Sequence, residues 1–457
     1  MNTPILVRNP RTGQSDYEFV PPDHEGLRAI CAGLRGAQPR WAELGLDARI
    51  AVMRDFIAAL ERNRDDIIGA LTLDTGRRGL SVMELDALMA IMGQRCKSAR
   101  DVLADLGGTA PDDATLRFEQ QYVPYDLVGI ISPWNYPLIL SFLDAVPALL
   151  MGCAVLIKPS EITPRFVAPV KAVLEDIPRL KAVLDLVVGP GDVGRSVVDL
   201  TDCVVFTGSV ATGSKVLRQA AELFKPVFLE LGGKDPAIVL EGAEPRRVAE
   251  VIVRGATENA GQLCSSIERV YAHESLVDAL TYEICRLASE LTFNHPSVEV
   301  GDIGPVIFAR QANILREHLA DAVDKGARIL VGGNIVEIDG GLWCEPTVIV
   351  NVSHDMKLMR EETFGPIIPI MSFSTIDQAV RLANDSSYGL SATVIGPEEE
   401  ALAVGRRLRA GGVWINDFDT IGGVGERAEK QAFNQSGLGG SRSVSYTHLT
   451  LPTSDLV

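Results

Sequence analysis

The chain has 457 residues, of which 46% are hydrophobic and 23% are charged, a composition typical of folded globular proteins and not of disordered ones. Since single hydrophobic cores stop growing at roughly 250–300 residues, we expect two or three domains. The 43 basic and 60 acidic residues give a net charge of −17, and no basic cluster interrupts this acidic balance. We therefore expect no nucleic acid as a partner.

The cysteines and histidines indicate a protein of a reducing compartment without a metal site. The seven cysteines are scattered and form no C-x-x-C pair, which argues against a disulfide framework. The six histidines have no spacing typical of metal ligands. The N-terminus has no apolar segment after a basic start, and no apolar run reaches the ~18 residues of a membrane span. We expect a cytoplasmic protein with no membrane partner.

The first part of the chain is predicted to be helical. From about residue 42 to 105, apolar residues recur at helical spacing, with charged residues between them. From residue 127 the pattern changes to short β-branched runs separated by helical segments. These runs predict strands at 127–131, 154–157, 184–188, 203–206 and 227–229. Strands that alternate with helices indicate a parallel, doubly wound sheet.

A second α/β segment begins near Pro236. Its pattern predicts helices at 244–260, 275–291 and 307–326, and strands at 237–240, 328–331, 347–350 and 367–371. The expected fold class is therefore α/β. We expect a discontinuous first domain made of residues 1–108 and 127–235, and a second domain made of residues 236–425.

Residues 109–126 fit neither sheet. Leu116, Phe118, Gln120 and Tyr122 alternate along this polar and aromatic stretch, as they would in an outlying hairpin. We expect this hairpin, together with residues 426–443, to form a small oligomerisation arm.

The end of the chain needs a separate interpretation. Residues 444–453 resemble the translation of a transposase adapter used in sequencing libraries. We therefore expect residues 444–457 to be a non-native tail and the native sequence to read to about Arg442. An ordinary terminal strand is the alternative.

A glycine-rich stretch at residues 189–194 formally matches G-x-G-x-x-G, the fingerprint of dinucleotide-binding proteins. A single match of this kind is weak, and Pro190 removes an N–H group that a phosphate cradle could have used. We interpret this stretch as a structural turn.

Two other strand ends carry candidate groups for binding a phosphate or a ribose. Gly208 and Ser209 stand where a strand gives way to a helix, and the N–H groups and dipole of a helix start bind anions. Lys158 and Glu161 follow the strand at 154–157, at the end where α/β sheets bind ligands. The alternatives are plain N-capping by Ser209 and a surface salt bridge between Lys158 and Glu161.

Two loops present further candidates. Asn135 lies in P-W-N-Y-P at 133–137, and a rigidly held amide can donate to an oxyanion, a contact whose loss costs about 10²–10³ in rate. An Asn that satisfies loop carbonyls is the alternative. Glu362 and Phe364 lie in E-E-T-F-G-P at 361–366, which could also be a helix end followed by a turn.

A candidate base and a candidate nucleophile flank a glycine-rich stretch. Glu230 opens E-L-G-G-K, and Cys264 ends G-Q-L-C. A carboxylate can activate water, and a thiolate can attack a carbonyl carbon. The alternatives are a carboxylate bonded to local backbone amides and a buried cysteine that acts as a small hydrophobe.

In this order the motifs resemble the aldehyde dehydrogenase superfamily, and the resemblance extends from about Asn9 to about Arg442. The matching motifs are P-W-N-Y-P at 133, K-P-S-E at 158, F-T-G-S-x-x-T-G at 206, E-L-G-G-K at 230, G-Q-x-C at 261, E-E-x-F-G-P at 361 and S-G-L-G at 436. The ensemble, not any single motif, makes the resemblance specific.

The resemblance implies a role for each catalytic candidate. Cys264 would attack the aldehyde as a thiolate, and the Asn135 amide with the Cys264 backbone N–H would hold the oxyanion. After hydride transfer to the nicotinamide, Glu230 would activate the water that hydrolyses the thioester to a carboxylic acid. With these roles, the chain would resemble the NAD(P)-dependent, hydrolytic branch of the superfamily.

The resemblance also implies a cofactor site. Lys158 and Glu161 would bind the adenosine ribose, Trp134 and Ser209 the pyrophosphate, and Glu362 with Phe364 the nicotinamide end. The complete implied set is Trp134, Lys158, Glu161, Gly208, Ser209, Leu231, Glu362 and Phe364. Because a carboxylate at Glu161 repels a 2′-phosphate, we expect NAD as the cofactor, with NADP as the alternative.

The resemblance also implies that the substrate is a small-molecule aldehyde. In the family, the helix after P-W-N lines the aldehyde tunnel, and the implied pocket residues are Tyr136, Leu140, Leu143, Leu263 and Ser265. No Arg or Lys appears in this helix to bind a second carboxylate. We therefore expect an uncharged, apolar aldehyde.

Two other functions remain open. CoA-acylating relatives pass the thioester to CoA and generally lack the general-base Glu, so Glu230 argues against that reaction. A catalytically inactive, truncated homologue is the other alternative.

The resemblance further implies a homodimer or homotetramer, in which relatives add a final strand to a neighbour's sheet. Loss of native sequence after Arg442 would weaken that assembly.

Overall fold

The computed structural model describes residues 3–102, 106–110, 113–418, 431–439 and 450–454. Within these ranges, helices cover two large and mostly parallel sheets, and three small antiparallel sheets lie outside them. No helix in the described part of the chain is long and apolar enough to cross a membrane.

The N-terminal layer begins with an antiparallel hairpin and continues as four helices. These elements are β1 (Ile5–Arg8), β2 (Ser15–Phe19), α1 (His24–Glu43), α2 (Leu46–Arg62), α3 (Arg64–Thr75) and α4 (Arg78–Val102). The prediction of a helical layer is confirmed, but its start near residue 42 was wrong because α1 precedes it. Asp23 caps α1 by accepting a hydrogen bond from Gly26 N at 2.7 Å, and Gly76 ends α3 at a φ of +70°.

The first large sheet is doubly wound. Its strands are β5 (Leu127–Ile131), β6 (Ala154–Lys158), β7 (Leu184–Leu186), β8 (Cys203–Thr207), β9 (Val227–Glu230) and β19 (Gly437–Leu438), in the order β19-β9-β8-β5-β6-β7. All pairs are parallel except β19 with β9. Its helices are α5 (Pro137–Phe142), α6 (Ala145–Met151), α7 (Val167–Glu175), α8 (Pro178–Lys181), α9 (Gly191–Leu200) and α10 (Val210–Glu222).

The order of these strands reverses at β5. The chain runs from β5 outward through β6 and β7, and then returns to the other side of β5 with β8 and β9. In open α/β sheets, ligands bind beyond the carboxyl ends of the strands at this switch point. The loops after β5 and β8 carry Trp134, Asn135 and Ser209, so the topology brings these candidates to one end of the sheet.

The second large sheet has seven strands in the described part of the chain. They are β10 (Asp235–Val239), β11 (Ile267–His273), β12 (Arg328–Val331), β15 (Thr347–Val350), β16 (Ile367–Phe373), β17 (Ser391–Ile395) and β18 (Gly412–Ile415), in the order β12-β15-β16-β11-β10-β17-β18. Only β12 runs antiparallel to its neighbour. The remaining elements are α11 (Pro245–Thr257), α12 (Val277–Glu290), α13 (Ala309–Asp324), the hairpin β13 (Ile335–Ile338) and β14 (Gly341–Cys344), α14 (Lys357–Arg360), α15 (Ile376–Asn384) and α16 (Glu398–Gly405). The α/β fold class is confirmed.

The outlying hairpin is present and extends further than expected. It consists of β3 (Leu106–Ala110) and β4 (Asp113–Pro124), so it begins a few residues before position 109. A third strand, β20 (Thr450–Ser454), pairs antiparallel with β4. Residues of the expected tail therefore form a strand beside this chain's own hairpin. The non-native origin of the tail stays a prediction, as does the role of the arm in oligomerisation.

The segment 426–443 lies only partly in the described residues. Its described part, 431–439, contains β19, which pairs with β9 of the first sheet and not with the hairpin. This part of the expected arm therefore packs beside Glu230. Residues 426–430 and 440–443, like 419–425 at the end of the expected second domain, lie outside the described residues.

Candidate active site

Glu230 is the last residue of β9, and β10 begins only five positions later at Asp235. Its backbone is fixed on both sides, because its carbonyl accepts a hydrogen bond from Gly208 N at 3.0 Å and it pairs with Gly437 of β19. The residue is 4% exposed. The carboxyl end of β9 therefore holds the predicted base at the point where the chain crosses to the second sheet.

The turn after Glu230 lies against the loop that carries Cys264. A Cβ atom on Gly233 would stand 2.4 Å from the Cys264 carbonyl oxygen, closer than real Cβ contacts permit. Only glycine allows this approach. The two glycine-rich motifs are thus in direct contact, which brings the predicted base and the predicted nucleophile to one site.

Cys264 follows a short 3₁₀ turn, Glu258–Gly261, in an unusual backbone conformation. Asn259 and Ala260 have φ angles of +52° and +55°, which non-glycine residues rarely adopt. The Gln262 side chain stabilises the turn: its Nε2 donates to Asn259 O at 2.9 Å, and its Oε1 accepts from Ile307 N at 2.9 Å. The turn ends the helical path of α11 and presents the thiol just before β11 begins.

The exposure of the cysteines distinguishes Cys264 from most of the others. Cys264 and Cys285 are partly exposed, and the other five are buried. Burial raises the pKa of Cys153 and Cys344 to about 12, so these thiols stay protonated and unreactive. Burial also raises the pKa of Cys285. The five buried cysteines therefore have the environment of small hydrophobic side chains.

Asn135 joins the loop after β5 to the Cys264 loop. Its Nδ2 donates to Gln262 O at 3.0 Å, and Asn259 Nδ2 donates to the Asn135 carbonyl at 3.2 Å. Asn135 is 3% exposed. The amide satisfies a loop carbonyl, as the alternative interpretation expected, but an Asn amide has two N–H groups and this bond uses one of them. The structure therefore brings all three predicted catalytic residues together.

Two residues to which the sequence analysis assigned no role, an arginine and a glutamate, bind the loop of Asn135 and the start of α5. Arg77 Nη2 donates to the Asn135 carbonyl at 2.5 Å, and its guanidinium lies 4.3 Å from the centre of the Tyr136 ring. Arg77 also forms a buried ion pair with Glu84 at 3.7 Å. Glu84 Oε1 accepts from the backbone N–H groups of Leu138 and Ile139 at 2.8 and 3.1 Å, so it caps α5.

The predicted substrate residues lie beside these catalytic groups. Leu140 belongs to α5 and Leu143 follows that helix, whereas Leu263 and Ser265 flank Cys264. Tyr136 OH lies 3.1 Å from Glu258 Oε1, to which it donates. Burial raises the pKa of Tyr136, so its phenol stays neutral. All five residues are at least nine-tenths buried: Tyr136, Leu140, Leu143, Leu263 and Ser265.

The strand ends of the first sheet present the predicted ribose and phosphate groups. Lys158 Nζ donates to Glu161 Oε2 at 3.1 Å, and Lys158 is 4% exposed. The salt bridge therefore exists, but its cation is buried and not on the surface. Ser209 is the exposed N-cap of α10 and accepts a bond from Thr212 N at 3.4 Å. Gly208 directly precedes it, so the first turn of α10 opens at this strand end.

Three further cofactor candidates come from separate parts of the chain. The rings of Trp134 and Phe364 meet edge to face with their centres 5.3 Å apart. Glu362 Oε1 accepts a hydrogen bond from Gly233 N at 3.1 Å. Leu231 packs against α10, because a Cβ on Gly213 would stand 2.5 Å from Leu231 Cδ2. Glu362 therefore touches the Glu230 turn, and Phe364 touches the Asn135 loop.

The environment of Glu362 is unusual for a carboxyl group. Burial raises the pKa of Glu362 to about 8, and the neighbouring Glu268 carboxylate acts in the same direction. Without a ligand, this carboxyl group holds a proton near neutral pH. Perturbed carboxyl groups of this kind cluster at functional sites.

The stretch at 189–194 has a packing explanation. A Cβ on Gly189 would stand 2.4 Å from a methyl group of Val193, and Pro190 serves as the N-cap position of α9. Our interpretation as a structural turn is in keeping with this arrangement.

Comparison with known proteins identifies the family. The model of the aldehyde dehydrogenase family matches residues 2–451. The chain belongs to the aldehyde dehydrogenase family. It is an NAD(P)-dependent enzyme of that family, and the resemblance found from the motifs is confirmed.

Individual relatives agree with this assignment. A Mycolicibacterium smegmatis protein named "Putative succinate-semialdehyde dehydrogenase", with NADP(+) in its name, is 34% identical over 91% of this chain and 81% of its own. The structure of the "Putative Aldehyde Dehydrogenase PutA" from Anabaena variabilis superposes with a TM-score of 0.97 at 46% identity, covering 100% of this chain and 97% of that one. A betaine aldehyde dehydrogenase from Staphylococcus aureus, solved with NAD+, gives a TM-score of 0.92 at 27% identity, covering 99% and 91%.

The residues of this aldehyde dehydrogenase fit a dinucleotide. A helix N-terminus with the exposed Ser209 suits a pyrophosphate, and Lys158 with Glu161 offers a donor and an acceptor for ribose hydroxyls. Gly208 admits no side chain, because a Cβ there would stand 2.7 Å from the Phe206 ring. The donors, acceptors and aromatic rings are therefore of the right chemical kinds.

Several residues of the aldehyde dehydrogenase site carried no usable signal in the sequence. Arg77 and Glu84 lie in a helical region without a motif, and Glu268 lies in the strand after Cys264. Lys234 and Ser436 lie within matching motifs, but we assigned them no role. A charged residue at an otherwise apolar position, such as Glu84 before Leu85 and Leu88, is the one indication that the sequence offered.

Proposed function

We propose that this aldehyde dehydrogenase oxidises its substrate through a covalent intermediate on Cys264, with Asn135 as oxyanion donor and Glu230 as general base. The convergence of three loops carries the proposal. The Asn135 amide donates to the carbonyl of Gln262, which lies two residues before Cys264. Gly233 lies against the Cys264 carbonyl. The segments of the oxyanion donor and of the base therefore both contact the loop of the nucleophile.

In the first step, the Cys264 thiolate attacks the aldehyde carbon and forms a hemithioacetal. The second N–H of Asn135 and the backbone N–H of Cys264 stabilise the developing oxyanion. NAD(P), when bound at the proposed cofactor site, would supply the hydride acceptor that oxidation of this adduct to a thioester needs. Because Gln262 and Arg77 fix both ends of Asn135, the amide needs no reorganisation during the attack.

In the second step, Glu230 removes a proton from the water that attacks the thioester. Its burial at the end of β9 and the fixed backbone around it support this role, since a general base must be held within hydrogen-bond reach of its target. The carboxylic acid then leaves, and Cys264 is regenerated as a thiolate.

For the cofactor we propose the set predicted from the sequence, with NAD preferred over NADP. The carboxylate of Glu161, held by Lys158 at 3.1 Å, supports this preference because it would repel a 2′-phosphate. The M. smegmatis relative is named for NADP(+), so the preference distinguishes this chain from that protein. In a Glu161→Gln variant, the ratio of kcat/KM for NAD to that for NADP should fall.

For the substrate we propose an uncharged, apolar aldehyde. The leucines on and after α5, together with Leu263, support this choice, and α5 itself carries no charged side chain. Relatives named for succinate semialdehyde and betaine aldehyde take charged substrates by their names. A panel of short aliphatic, anionic and cationic aldehydes should therefore give the highest kcat/KM with the aliphatic members.

We also propose a homodimer or homotetramer of cytoplasmic location, in which the hairpin β3–β4 mediates contacts. The separation of this hairpin from both large sheets supports the first part, and the absence of a C-x-x-C pattern supports the second. Light scattering coupled to size-exclusion chromatography measures the assembly.

The central experiment mixes the purified protein with NAD and the aldehyde panel while the absorbance of reduced nicotinamide is recorded. We expect turnover with the carboxylic acid as product, unchanged by added CoA, and none with Cys264→Ala. The same thiol-to-methyl change at the partly exposed Cys285 is the matched control and should leave turnover intact. Acyl-CoA formation, or full activity of Cys264→Ala, would contradict the proposal.

A further inference from the structure

A buried ion pair links the turn that follows Glu230 to the strand that follows Cys264. Lys234 Nζ donates to Glu268 Oε2 at 2.6 Å, and the two side chains are 0% and 3% exposed. Lys234 immediately precedes β10, whereas Glu268 lies at the start of β11. The pair therefore crosses between the segments that carry the base and the nucleophile.

The same glutamate also binds a third segment, the loop of Glu362 and Phe364. Glu268 Oε2 accepts from Thr363 N at 2.8 Å, and Oε1 accepts from Phe364 N at 2.7 Å. Hydrogen bonds to an ionised carboxylate are roughly twice as strong as neutral ones. One carboxylate thus holds two consecutive backbone amides of the loop and an ammonium group at once.

The loop needs this support because of its backbone conformation. Phe364 has a φ of +53°, in the left-handed region that non-glycine residues rarely adopt. Thr363 accepts two further hydrogen bonds. Its Oγ1 accepts from Lys234 Nζ at 2.8 Å, and its carbonyl accepts from Gln311 Nε2 at 2.7 Å. Lys234 and Glu268 therefore act on the same residue from two sides.

We propose that Glu268 is a positioning residue for the nicotinamide end of the cofactor. It fixes the backbone between Glu362 and Phe364 through its bonds to Thr363 N and Phe364 N, and it is itself held by the buried ion pair with Lys234. This inference rests on the proposed function, which assigns Glu362 and Phe364 to the cofactor. Glu268 itself touches neither substrate nor cofactor in this role.

A merely structural ion pair would behave differently. Losing it would lower the stability of the fold and reduce every activity by the fraction of protein that unfolds. Loss of a positioning residue changes the KM and the dissociation constant for NAD in protein that remains folded, and it spares reactions that need no cofactor. A reaction of Cys264 that requires no NAD therefore separates the two explanations.

The test uses Glu268→Gln, which preserves shape and removes the charge. Since this leaves Lys234 buried without its counter-ion, the double variant Lys234→Met/Glu268→Gln removes both charges and guards against unfolding. In the folded variants, the dissociation constant for NAD measured by calorimetry, and the KM for NAD, should rise at least about tenfold, as expected for losing a hydrogen bond to a charged group. Acylation of Cys264 by an activated ester, without NAD, should change by less than about threefold.

Glu361→Gln is the matched control, because the same substitution falls in the same loop on an exposed side chain. It should leave both NAD constants unchanged. An unaltered dissociation constant in folded Glu268→Gln or in the folded double variant, or a parallel fall of the ester reaction, would overturn the proposal. A wild-type protein that binds NAD but oxidises no aldehyde contradicts the proposed function instead, and the dissociation constants still decide the role of Glu268.

Discussion

At the scale of single residues, the proposed mechanism gives Glu230 and Cys264 separable tasks. In this mechanism Cys264 acts in both halves of the reaction, whereas Glu230 is needed only when water attacks the thioester. Its backbone at the end of β9 is held by the bond from Gly208 N, which lies outside the thiol loop. The two steps can therefore be uncoupled by mutation.

Glu230→Gln should permit one rapid turnover and then slow the enzyme. The glutamine cannot take a proton from water, so thioester hydrolysis should fall by about 10²–10⁴, the usual contribution of a general base. Rapid-mixing measurements should show a burst of reduced nicotinamide close to one equivalent per Cys264. Cys264→Ala, as control, should give no burst, and a steady-state rate equal to that of the wild type would exclude Glu230 as the base.

The sequence predicted the residues that motifs single out, and it missed the residues that hold them in place. Asn135 and Cys264 were found because each lies in a loop of unusual composition. Arg77 was not, because its bond to Asn135 spans 58 positions of the chain, and helical periodicity carries no information about such a contact. The same applies to Glu268, whose bond to Thr363 spans 95 positions.

At the scale of secondary-structure elements, Arg77 and Glu84 join the start of α4 to the loop between β5 and α5. Arg77 binds the Asn135 carbonyl, and Glu84 binds the first N–H groups of α5. The pair thus sets the position of Asn135, the proposed oxyanion donor, relative to α5, which carries part of the proposed substrate pocket. Neither residue needs to contact the aldehyde for this.

Arg77→Met should lower kcat and leave the dissociation constant for NAD unchanged. The variant removes one of the two donors to the Asn135 carbonyl. The fall in kcat should approach the factor of about 10²–10³ that the loss of an oxyanion donor costs. Steady-state kinetics and calorimetry measure the two quantities. Arg77→Lys keeps the charge beside Glu84 and should lose less. A weakened NAD affinity in Arg77→Met would contradict this assignment.

The short strand β19 closes the other side of the Glu230 turn. The fully buried Ser436 hydroxyl donates to Gly232 O at 2.7 Å and accepts from Gly389 N at 2.9 Å, while Ser436 O accepts from Leu231 N at 2.8 Å. One residue therefore ties the active-site turn to the segment after α15.

Ser436→Ala should destabilise the protein by about 1–3 kcal/mol, because it leaves a buried N–H and a buried carbonyl without their partner. The expected kinetic effect is slower thioester hydrolysis with an unchanged burst. Denaturant titration gives the stability, and rapid mixing gives the burst. Exposed Ser214 in α10 provides a Ser→Ala control that should change neither quantity. A free energy of unfolding equal to that of the wild type would contradict the role assigned to the bonds of the Ser436 hydroxyl with Gly232 O and Gly389 N.

The elements themselves were predicted where hydrophobic runs were clear. The first strand of the doubly wound sheet, β5, coincides with the predicted 127–131 because all five residues are buried and apolar. In contrast, α1 was missed because Gly33, Gly36 and Pro39 interrupt its apolar spacing. The elements from α15 to β18 were also missed, since no strand or helix was predicted after residue 371.

At the scale of the whole molecule, three buried carboxyl groups make the stability depend on pH. Burial raises the pKa of Glu84 and Asp74 to about 7, from ordinary values of 4.5 and 3.8, and that of Glu362 to about 8. At pH values between the ordinary pKa and the raised pKa of each group, the folded protein holds a proton that the unfolded chain releases. The free energy of unfolding therefore falls as the pH rises.

We expect the melting temperature of the ligand-free protein to decrease from about pH 5 to about pH 8, which calorimetry at a series of pH values measures. Glu84→Gln removes one of the three titrating groups and should make the decrease shallower. The same substitution at exposed Glu399 in α16 should leave the slope unchanged. A melting temperature that rises over this range would contradict the assigned direction.

The crossing between the two large sheets has a mechanical consequence. The chain leaves β9 at Glu230 and enters β10 at Asp235, so the proposed general base stands at the junction itself. Because the turn between the two strands is only residues 231–234 long, the reach of the chain limits how far the two sheets can separate at this point. A displacement of one sheet against the other would therefore leave Glu230 close to both.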